Sequence, residues 1–184
     1  MSHPMPDTAS ESLVAKLVFA GPVGAGKTTA IRSVTDSEPI STEMTLSEPA
    51  MGEKTTTTVA LDFSAATLDD GTPLLVYGLP GQERFAHMRP IVLEGAFGVV
   101  VVLDGSAIDI ADQCEHWLRE IRAHRAGMPM VIGITHTDAV AEFSLGPVRA
   151  AIRRCGAPVP TFTFDARDRE QVAHLVRALL VTME

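Results

Sequence analysis

The stretch GPVGAGKT at residues 21–28 determines how the rest of the sequence is interpreted. It follows the apolar run LVAKLVFA (13–20) and precedes the amphipathic segment TTAIRSVTD (28–36), so it joins a predicted strand to a predicted helix. The pattern G-x-x-x-x-G-K-[ST] is typical of a phosphate-binding loop, because glycines allow backbone N–H groups to turn towards phosphate oxygens. The sequence therefore predicts a nucleotide-binding site.

The residues of this loop have separate predicted roles. Lys27 is expected to reach the β- and γ-phosphates as a point charge, and the Thr28 hydroxyl to ligate Mg²⁺. The alternative is a glycine-rich turn that only joins the strand to the helix. The predicted phosphate-binding residues of the loop are Gly21, Val23, Gly24, Ala25, Gly26, Lys27, Thr28 and Thr29.

Short apolar runs alternate with amphipathic stretches along the rest of the chain. The tight-turn signal DDGT (69–72) separates TTTTVALDFSAATL (55–68) from PLLVYG (73–78), which predicts an antiparallel hairpin. Further buried strands are predicted at FGVVVVLD (97–104), MPMVIGIT (128–135) and PVPTFTF (158–164), with helices between them. This alternation predicts an α/β fold, with a six-stranded, mostly parallel sheet, one antiparallel edge strand, and helices on both faces.

Two polar segments interrupt this pattern. Residues 1–12 are small and polar with two prolines, and we expect a disordered tail there, followed by one domain over residues 13–184. The tract DSEPISTEMTLSEPAMGEK (36–54) has prolines and no apolar periodicity, which predicts a long mobile loop. A loop of this length in a compact domain is usually functional.

Composition and charge argue against several classes of protein. The chain has 184 residues and a net charge of −8, whereas nucleic acids and anionic membranes favour clustered Lys and Arg. No apolar run is long enough to cross a bilayer, and the chain ends carry no signal-peptide or lipidation pattern. The only cysteines, Cys114 and Cys155, lack metal-type spacing. These features predict a cytoplasmic protein with reduced thiols.

Four further motifs occur in a familiar order: KTTTTVALDF (54–63), PGQERF (80–85), THTD (135–138) and FDAR (164–167). Together with GPVGAGKT, they make residues 13–182 resemble a bacterial Ras-like small GTPase, closest to the conservon-associated and gliding-motility (MglA-type) subgroup. The resemblance implies the P-loop NTPase (Ras-like) fold, with GTP or GDP as the bound nucleotide and Mg²⁺ as the cofactor.

By this resemblance, one threonine of the 55–58 run is the switch threonine that meets Mg²⁺ and the γ-phosphate. Thr58 is the first choice, because the subgroup has a threonine four residues before an Asp-Phe pair, and Thr57 is the alternative. Gly81 would offer its backbone N–H to the γ-phosphate, and Gln82 would orient the attacking water. The predicted catalytic residues are thus Gln82, Lys27 and Thr58.

The predicted guanine-binding residues depart from the family pattern. Asp138 would accept hydrogen bonds from the guanine N1–H and exocyclic amine, a pattern that adenine does not offer. Thr135 would brace the site as asparagine usually does, and the His136 imidazole would lie over the base or face solvent without touching it. Ala166 would donate its backbone N–H to guanine O6, with Arg167 beside it.

The stretch LLVYGLPGQERF (74–85) has Gly78 where the family usually has an aspartate that binds Mg²⁺ through water. Three explanations are open. Asp62 could point into the vacated space, although an extended strand places it about 13 Å from Thr58. Asp104 could take the role, but we expect it to cap the following helix. We favour the third, in which Thr28, the switch threonine, phosphates and water suffice.

Taken together, these motifs predict that the protein is a GTP-binding molecular switch, with slow GTP hydrolysis that a partner accelerates. Arg84 and Arg89 are candidates to swing towards the phosphates. The resemblance implies a roadblock-type regulator or another effector protein as the partner. The alternative function is a guanine-nucleotide-bound scaffold or adaptor with negligible hydrolysis, which the departures at Gly78 and His136 favour.

Overall fold

The computed structural model describes residues 14–35, 40–47, 56–67, 71–156 and 158–183. Its strands are β1 (Ala15–Ala20), β2 (Ile40–Ser47), β3 (Thr56–Thr67), β4 (Pro73–Gly78), β5 (Gly98–Asp104), β6 (Met130–Thr135) and β7 (Thr161–Thr163). Its helices are α1 (Lys27–Val34), α2 (Arg89–Leu93), α3 (Ile110–His124), α4 (Gly146–Arg154) and α5 (Arg169–Val181). Two short 3₁₀ segments span Glu83–Met88 and Thr137–Ala139. The predicted tail, residues 1–12, lies outside the described residues.

The strands form one sheet in the order β2-β3-β4-β1-β5-β6-β7. Only the β2–β3 and β3–β4 pairs are antiparallel, so among the described strands β3 alone runs against the others. The predicted hairpin is confirmed, with Thr67 opposite Pro73 and Asp62 opposite Gly78. The mostly parallel sheet, with helices on both faces, confirms the predicted P-loop NTPase (Ras-like) fold class.

The sheet has seven strands where six were predicted, because Ile40–Ser47 is strand β2. The interpretation of residues 36–54 as one loop is therefore wrong for this segment. In ISTEMTLS the apolar residues Ile40, Met44 and Leu46 are an even number of positions apart, which is compatible with one face of a strand, and Pro39 and Pro49 lie outside it. The antiparallel strand β3 is consequently not at the edge, and β2 takes that place.

Two apolar layers cover the sheet. On one face, α1 and α5 pack against alternate residues of β1 and β5, and on the other face α2, α3 and α4 pack against the remaining ones. The predicted stripe on α3 is confirmed, since Cys114, Trp117, Leu118 and Ile121 are all buried. Each large apolar side chain buried in this way stabilises the fold by about 1.5–3 kcal/mol.

The parallel strands β1, β5, β6 and β7 all end at the same edge of the sheet. The loops that follow them carry the phosphate-loop motif, Asp104, THTD and FDAR. In open α/β sheets, ligands bind at the carboxyl ends of the strands, so the fold brings the sequence motifs to the expected edge. No helix among the described residues has the length and apolar character needed to span a membrane.

Candidate functional site

The phosphate loop turns sharply at Gly21, directly after β1. Gly21 has φ 142°, and a Cβ there would lie 2.0 Å from the Val102 carbonyl oxygen of β5. No side chain fits at that distance, which explains the glycine on steric grounds. Gly26, with φ 97°, then starts α1, so the loop ends at a helix N-terminus that favours anions.

Lys27 folds back over this loop. Its Nζ donates to the carbonyl oxygens of Gly21, at 2.9 Å, and Pro22, at 2.6 Å. Burial lowers the pKa of Lys27 to about 8, and the nearby Asp62 carboxylate offsets part of that effect. A polyphosphate beside Lys27 would raise this pKa again, because a neighbouring anion favours the charged amine.

The Asp62 carboxylate occupies the space beside Gly78. The two residues are opposite each other on β3 and β4, and a Cβ at Gly78 would lie 3.0 Å from the Asp62 Cβ and 3.3 Å from Asp62 Oδ2. The Thr28 hydroxyl donates to Asp62 Oδ2. Asp62 thus lies where the first of the three explanations for Gly78 requires it, and which groups hold Mg²⁺ stays a prediction. Carboxylate and hydroxyl oxygens fit the ligand preference of Mg²⁺.

Asp104 has the capping role expected of it, but at a turn and not at a helix. Its Oδ1 accepts from the Ser106 backbone N–H at 2.8 Å and from the Ser106 hydroxyl at 2.6 Å. The helix α3 starts only at Ile110, with Asp109 before it. Asp104 therefore stabilises the turn after β5 and does not replace the missing aspartate.

A cavity of about 370 Å³ lies in front of the phosphate loop. Its lining combines Lys27, Thr28 and Asp62 with residues of the PGQERF segment, among them Gly81, Gln82, Arg84 and Phe85. Gly81 touches the phosphate loop, since a Cβ there would lie 2.6 Å from the Val23 nitrogen. The structure therefore brings part of the predicted phosphate-binding set, namely Val23, Gly24, Lys27, Thr28 and Gly81, into one cavity with Gln82.

Thr58 is part of strand β3, and Arg89 is buried. Thr58 lies within β3, opposite Thr45, and four residues of extended chain separate it from Asp62, roughly 13 Å. Arg89 is 1% exposed and is not among the residues that line the cavity, so it is not positioned to swing towards the phosphates. Arg84 does line the cavity, with its guanidinium 4.7 Å from the Phe85 ring centroid.

A second cavity, of about 540 Å³, adjoins the other side of the phosphate loop. It brings together the two motifs predicted to bind the base, and its lining includes Gly26, Thr29, Thr135, His136, Asp138, Ala166 and Arg167. Thr135 is 2% exposed, and its hydroxyl lies 2.9 Å from the Ala25 carbonyl oxygen. This contact joins β6 to the phosphate loop, which is the bracing expected of Thr135.

His136 has a constrained position at the mouth of this cavity. Its φ of 52° is left-handed, which is uncommon for a residue with a side chain. Its Nδ1 lies 3.2 Å from Asp104 Oδ1. Burial acts to raise the pKa of Asp104, but hydrogen bonds from Ser106 and the adjacent His136 outweigh it and lower the pKa. The pairing was not predicted, because Asp104 ends β5 and His136 follows β6, so the two residues are far apart in sequence.

The FDAR segment has Ala166 buried and Arg167 exposed. The Arg167 guanidinium binds Asp165, with Nη2 2.7 Å from Oδ2, and these hydrogen bonds lower the pKa of Asp165 to about 2. Gln171 of α5 accepts from the Asp165 backbone N–H at 2.9 Å and fixes the loop. Asp138 is exposed in the second cavity. No motif in the sequence marked Gln171, and Asp165, although part of FDAR, had no predicted role.

The sequence matches the model of a protein family described as "Conserved hypothetical ATP binding protein" over residues 36–180. The chain belongs to this family. The matched region covers more than half of the chain and includes both segments of the second cavity, whereas the phosphate loop precedes it.

The chain is also similar to Ras-related proteins. It is 28% identical to "Ras-related protein Rab-18-B" of Danio rerio over 112 residues, which is 59% of this chain and 49% of that protein. It is 27% identical to "Ras-related protein Rab-18" of Lymnaea stagnalis over 119 residues, or 63% and 53% of the two chains. It is 29% identical to "Ras-related protein Rab-8A" of Bos taurus over 112 residues, or 59% and 48%.

The chain spans about half the length of these curated relatives. Together with the family match, they support a nucleotide-binding protein of the Ras-like type.

Proposed function

We propose that this member of the ATP-binding family is a GTP-binding molecular switch that hydrolyses GTP slowly until a partner accelerates the reaction. The observation that carries this proposal is the arrangement of two cavities on either side of the phosphate loop. One contains Lys27, Thr28, Asp62 and Gln82, and the other contains Asp138. A nucleotide with its phosphates in the first and its base in the second would contact both sets of predicted residues.

The preference for guanine is supported by the exposed Asp138 carboxylate in the second cavity. A carboxylate accepts the two N–H groups of guanine, whereas adenine presents the N1 lone pair at the equivalent place. A site built on such polar pairing discriminates strongly between guanine and adenine. In this arrangement Ala166 would donate its backbone N–H to guanine O6, and His136 and Arg167 would flank the base. The description of the family names ATP, so the nature of the base is the first point to test.

Thr28 and Asp62 are the residues that would hold Mg²⁺. When bound, the ion would neutralise charge on the phosphate oxygens. Lys27 would bind the same phosphates, and Gln82 would hold a water in line with the terminal phosphate. Thr58 would contribute its hydroxyl in the switch role only in a conformation that brings it nearer to Thr28 than β3 does.

The wider context is also part of the proposal. We propose a single domain over residues 13–184. The motif order supports a bacterial origin in the conservon-associated and MglA-type subgroup, with a roadblock-type regulator or effector as partner. The net charge of −8 fits a cytoplasmic location. An accelerating partner is part of the same proposal; of the two candidate arginines of this chain, Arg89 is buried away from the cavity and Arg84 lines it.

Thermal denaturation of nucleotide-free protein with Mg²⁺ and GDP, GTP, ADP or ATP tests base and phosphate recognition together. A ligand at one hundred times its Kd adds about 2.7 kcal/mol of stability, or roughly 5–10 °C for a domain of this size. We expect that shift with GDP and GTP and little with the adenine nucleotides. An equal shift with ADP would refute the guanine preference and favour adenine.

The Asp138→Asn variant sharpens this test. An amide in place of the carboxylate opposes the guanine N1–H with a donor, so the GDP shift should disappear. Asp112→Asn is the matched control, because Asp112 is an exposed residue of α3 that lines neither cavity. Loss of the GDP shift in both variants would mean that charge alone, and not the base contact, was responsible.

Single-turnover phosphate release from GTP, with and without Mg²⁺, separates the switch from the alternative function. Slow, Mg²⁺-dependent release is expected. Binding of GTP without phosphate release would refute hydrolysis and would favour a nucleotide-bound adaptor.

A further inference from the structure

Arg89, the first residue of α2, carries a buried charge that the proposed function does not use. It is 1% exposed and is among the largest fully buried side chains of the described residues. Arg89 follows the 3₁₀ segment Glu83–Met88, which begins directly after Gln82. Its environment therefore bears on the segment that directly follows Gln82, the proposed water-orienting residue.

The guanidinium of Arg89 joins that segment to α3. Nη2 lies 3.0 Å from Glu83 Oε2, and Nη1 lies 2.7 Å from Glu120 Oε2 on α3. The guanidinium also lies over the Trp117 ring, 4.6 Å from its centroid. We call Glu83, Arg89, Trp117 and Glu120 the Arg89 cluster. Through the Arg89 guanidinium, the cluster connects Glu83, the residue after Gln82, to α3.

His116 completes the surroundings of the cluster. Its Nε2 lies 3.5 Å from Glu83 Oε1 and 3.4 Å from Glu120 Oε2. The same two carboxylates thus face both the buried guanidinium and the half-exposed imidazole. Glu83 is fixed from two sides although its side chain is 67% exposed.

Stability alone does not account for this arrangement. Burying a guanidinium costs desolvation energy that its ion pairs offset only in part, and an apolar side chain is often at least as stable in such a place. Arg89 Nε is buried with no hydrogen-bond partner among the described residues, which adds to the cost. The cluster therefore points to positioning of the attached segment.

We propose that Arg89 is a positioning residue that fixes the Gln82 turn against α3, so that Glu120 and Trp117 affect the rate of nucleotide hydrolysis without touching the nucleotide. The inference rests on the proposed function for the role of Gln82. With the cluster intact, Glu83 holds the start of the 3₁₀ segment and Gln82 stays in the phosphate cavity. Without it, the turn samples other positions and the fraction of productive geometry falls.

Loss of the cluster should change the hydrolysis rate without changing the affinity for the nucleotide. No residue of the Arg89 cluster lines either the phosphate cavity or the base cavity. Loss of the cluster should therefore lower the single-turnover rate at unchanged Kd for GDP, which is the behaviour of an interaction made only in the transition state.

Glu120→Gln is the test variant, because it weakens the Arg89 contact while leaving the buried arginine paired with Glu83. Glu115→Gln is the matched control. Glu115 is on the same helix and also has two arginine partners, Arg119 and Arg154, but neither is in the 3₁₀ segment. Single-turnover GTP hydrolysis should fall about fivefold or more in Glu120→Gln and stay within about twofold of wild type in Glu115→Gln. Equal rates in the two variants would overturn the proposal.

Amide hydrogen exchange in the GDP-bound protein gives a readout that does not depend on hydrolysis. Residues 82–88 should exchange faster in Glu120→Gln than in wild type or Glu115→Gln, because local opening becomes easier. Unchanged exchange in this segment would overturn the proposal. If wild-type protein bound GTP without hydrolysing it, the proposed hydrolysis would fail, whereas faster exchange in Glu120→Gln would still support the positioning role of Arg89.

Discussion

Asp62→Asn removes one negative charge from the phosphate cavity while keeping the shape of the side chain. In wild type, Asp62 Oδ2 accepts from the Thr28 hydroxyl and lies where a side chain at Gly78 would be. If Asp62 holds Mg²⁺ directly or through water, its loss should weaken Mg²⁺ binding about 10- to 100-fold, the range found for residues that support a metal site. That range corresponds to about 1.4–2.7 kcal/mol.

The assay is the release rate of a fluorescent GDP analogue over a Mg²⁺ titration. We expect the Mg²⁺ concentration that gives half-maximal slowing of release to rise by the same factor in Asp62→Asn. With EDTA, release should differ less than about threefold between the two proteins, since the remaining effect is only the field of one partly screened charge. If Asp62→Asn accelerated nucleotide release equally with EDTA and with Mg²⁺, the metal role would be refuted. An unchanged dependence of the release rate on Mg²⁺ would refute it as well.

Moving the carboxylate back to Gly78 provides the matching control. The Gly78→Asp variant alone should be destabilised by about 1–3 kcal/mol, because its Cβ would lie 3.0 Å from the Asp62 Cβ and the Ile31 Cδ1. The double variant Gly78→Asp, Asp62→Gly removes one of these contacts and supplies one carboxylate from the other strand. It should recover Mg²⁺ dependence relative to Asp62→Gly. Failure to do so would mean that Asp62 does more than supply an oxygen.

Two further outcomes follow from the phosphate loop. Gly21→Ala should abolish folding or cost about 3 kcal/mol or more by thermal denaturation, since its Cβ would lie 2.0 Å from the Val102 carbonyl oxygen at φ 142°. Gly127→Ala, which has no such contact, should be close to wild type, and equal effects would contradict the steric argument. Burial lowers the pKa of Lys27 to about 8 from 10.5, so the cost of its buried charge is complete below pH 8 and is relieved as the pH rises towards 10.5. Nucleotide-free Lys27→Met should therefore have a higher Tm than wild type at pH 7, and this difference should narrow between pH 8 and 10; a constant difference would contradict the pKa shift.

The phosphate loop was predictable because its residues are consecutive and its steric needs are local. Gly21 must avoid the neighbouring strand, and the sequence pattern already contains that constraint. The helical stripe on α3 was equally accessible, since apolar residues at positions three and four apart share one helix face.

The partner of Gly78 was harder to predict because it depends on strand register. A tight turn over residues 69–72 would place Asp62 opposite Leu79, whereas the observed register places it opposite Gly78. A shift of one residue moves every side chain to the other face of the sheet. The sequence therefore pointed to Asp62 as a candidate, but it did not show on which face of the sheet the Asp62 carboxylate lies.

Contacts between separate loops were the least predictable part of the site. Asp104 is the last residue of β5 and His136 is on the loop after β6, while Arg89 on α2 contacts Glu120 on α3. None of these pairs has a fixed spacing in sequence. Similarly, β2 was not predicted, because prolines lie on both sides of it and its few apolar residues give only a weak periodic pattern.

The position of Asp62 links the predicted metal site to the outer half of the sheet. In the usual arrangement, the carboxylate would belong to β4, which is held between β1 and β3. Here it belongs to β3, the strand that also contains Thr58 and pairs with β2. Binding of Mg²⁺ between Thr28 and Asp62 would therefore favour the present pairing of β3 with β4. By thermodynamic reciprocity, anything that stabilises this pairing would strengthen Mg²⁺ binding to the same extent. With Gly78 in place of the usual aspartate, the proposed metal ligand would thus belong to the strand that carries the candidate switch residue.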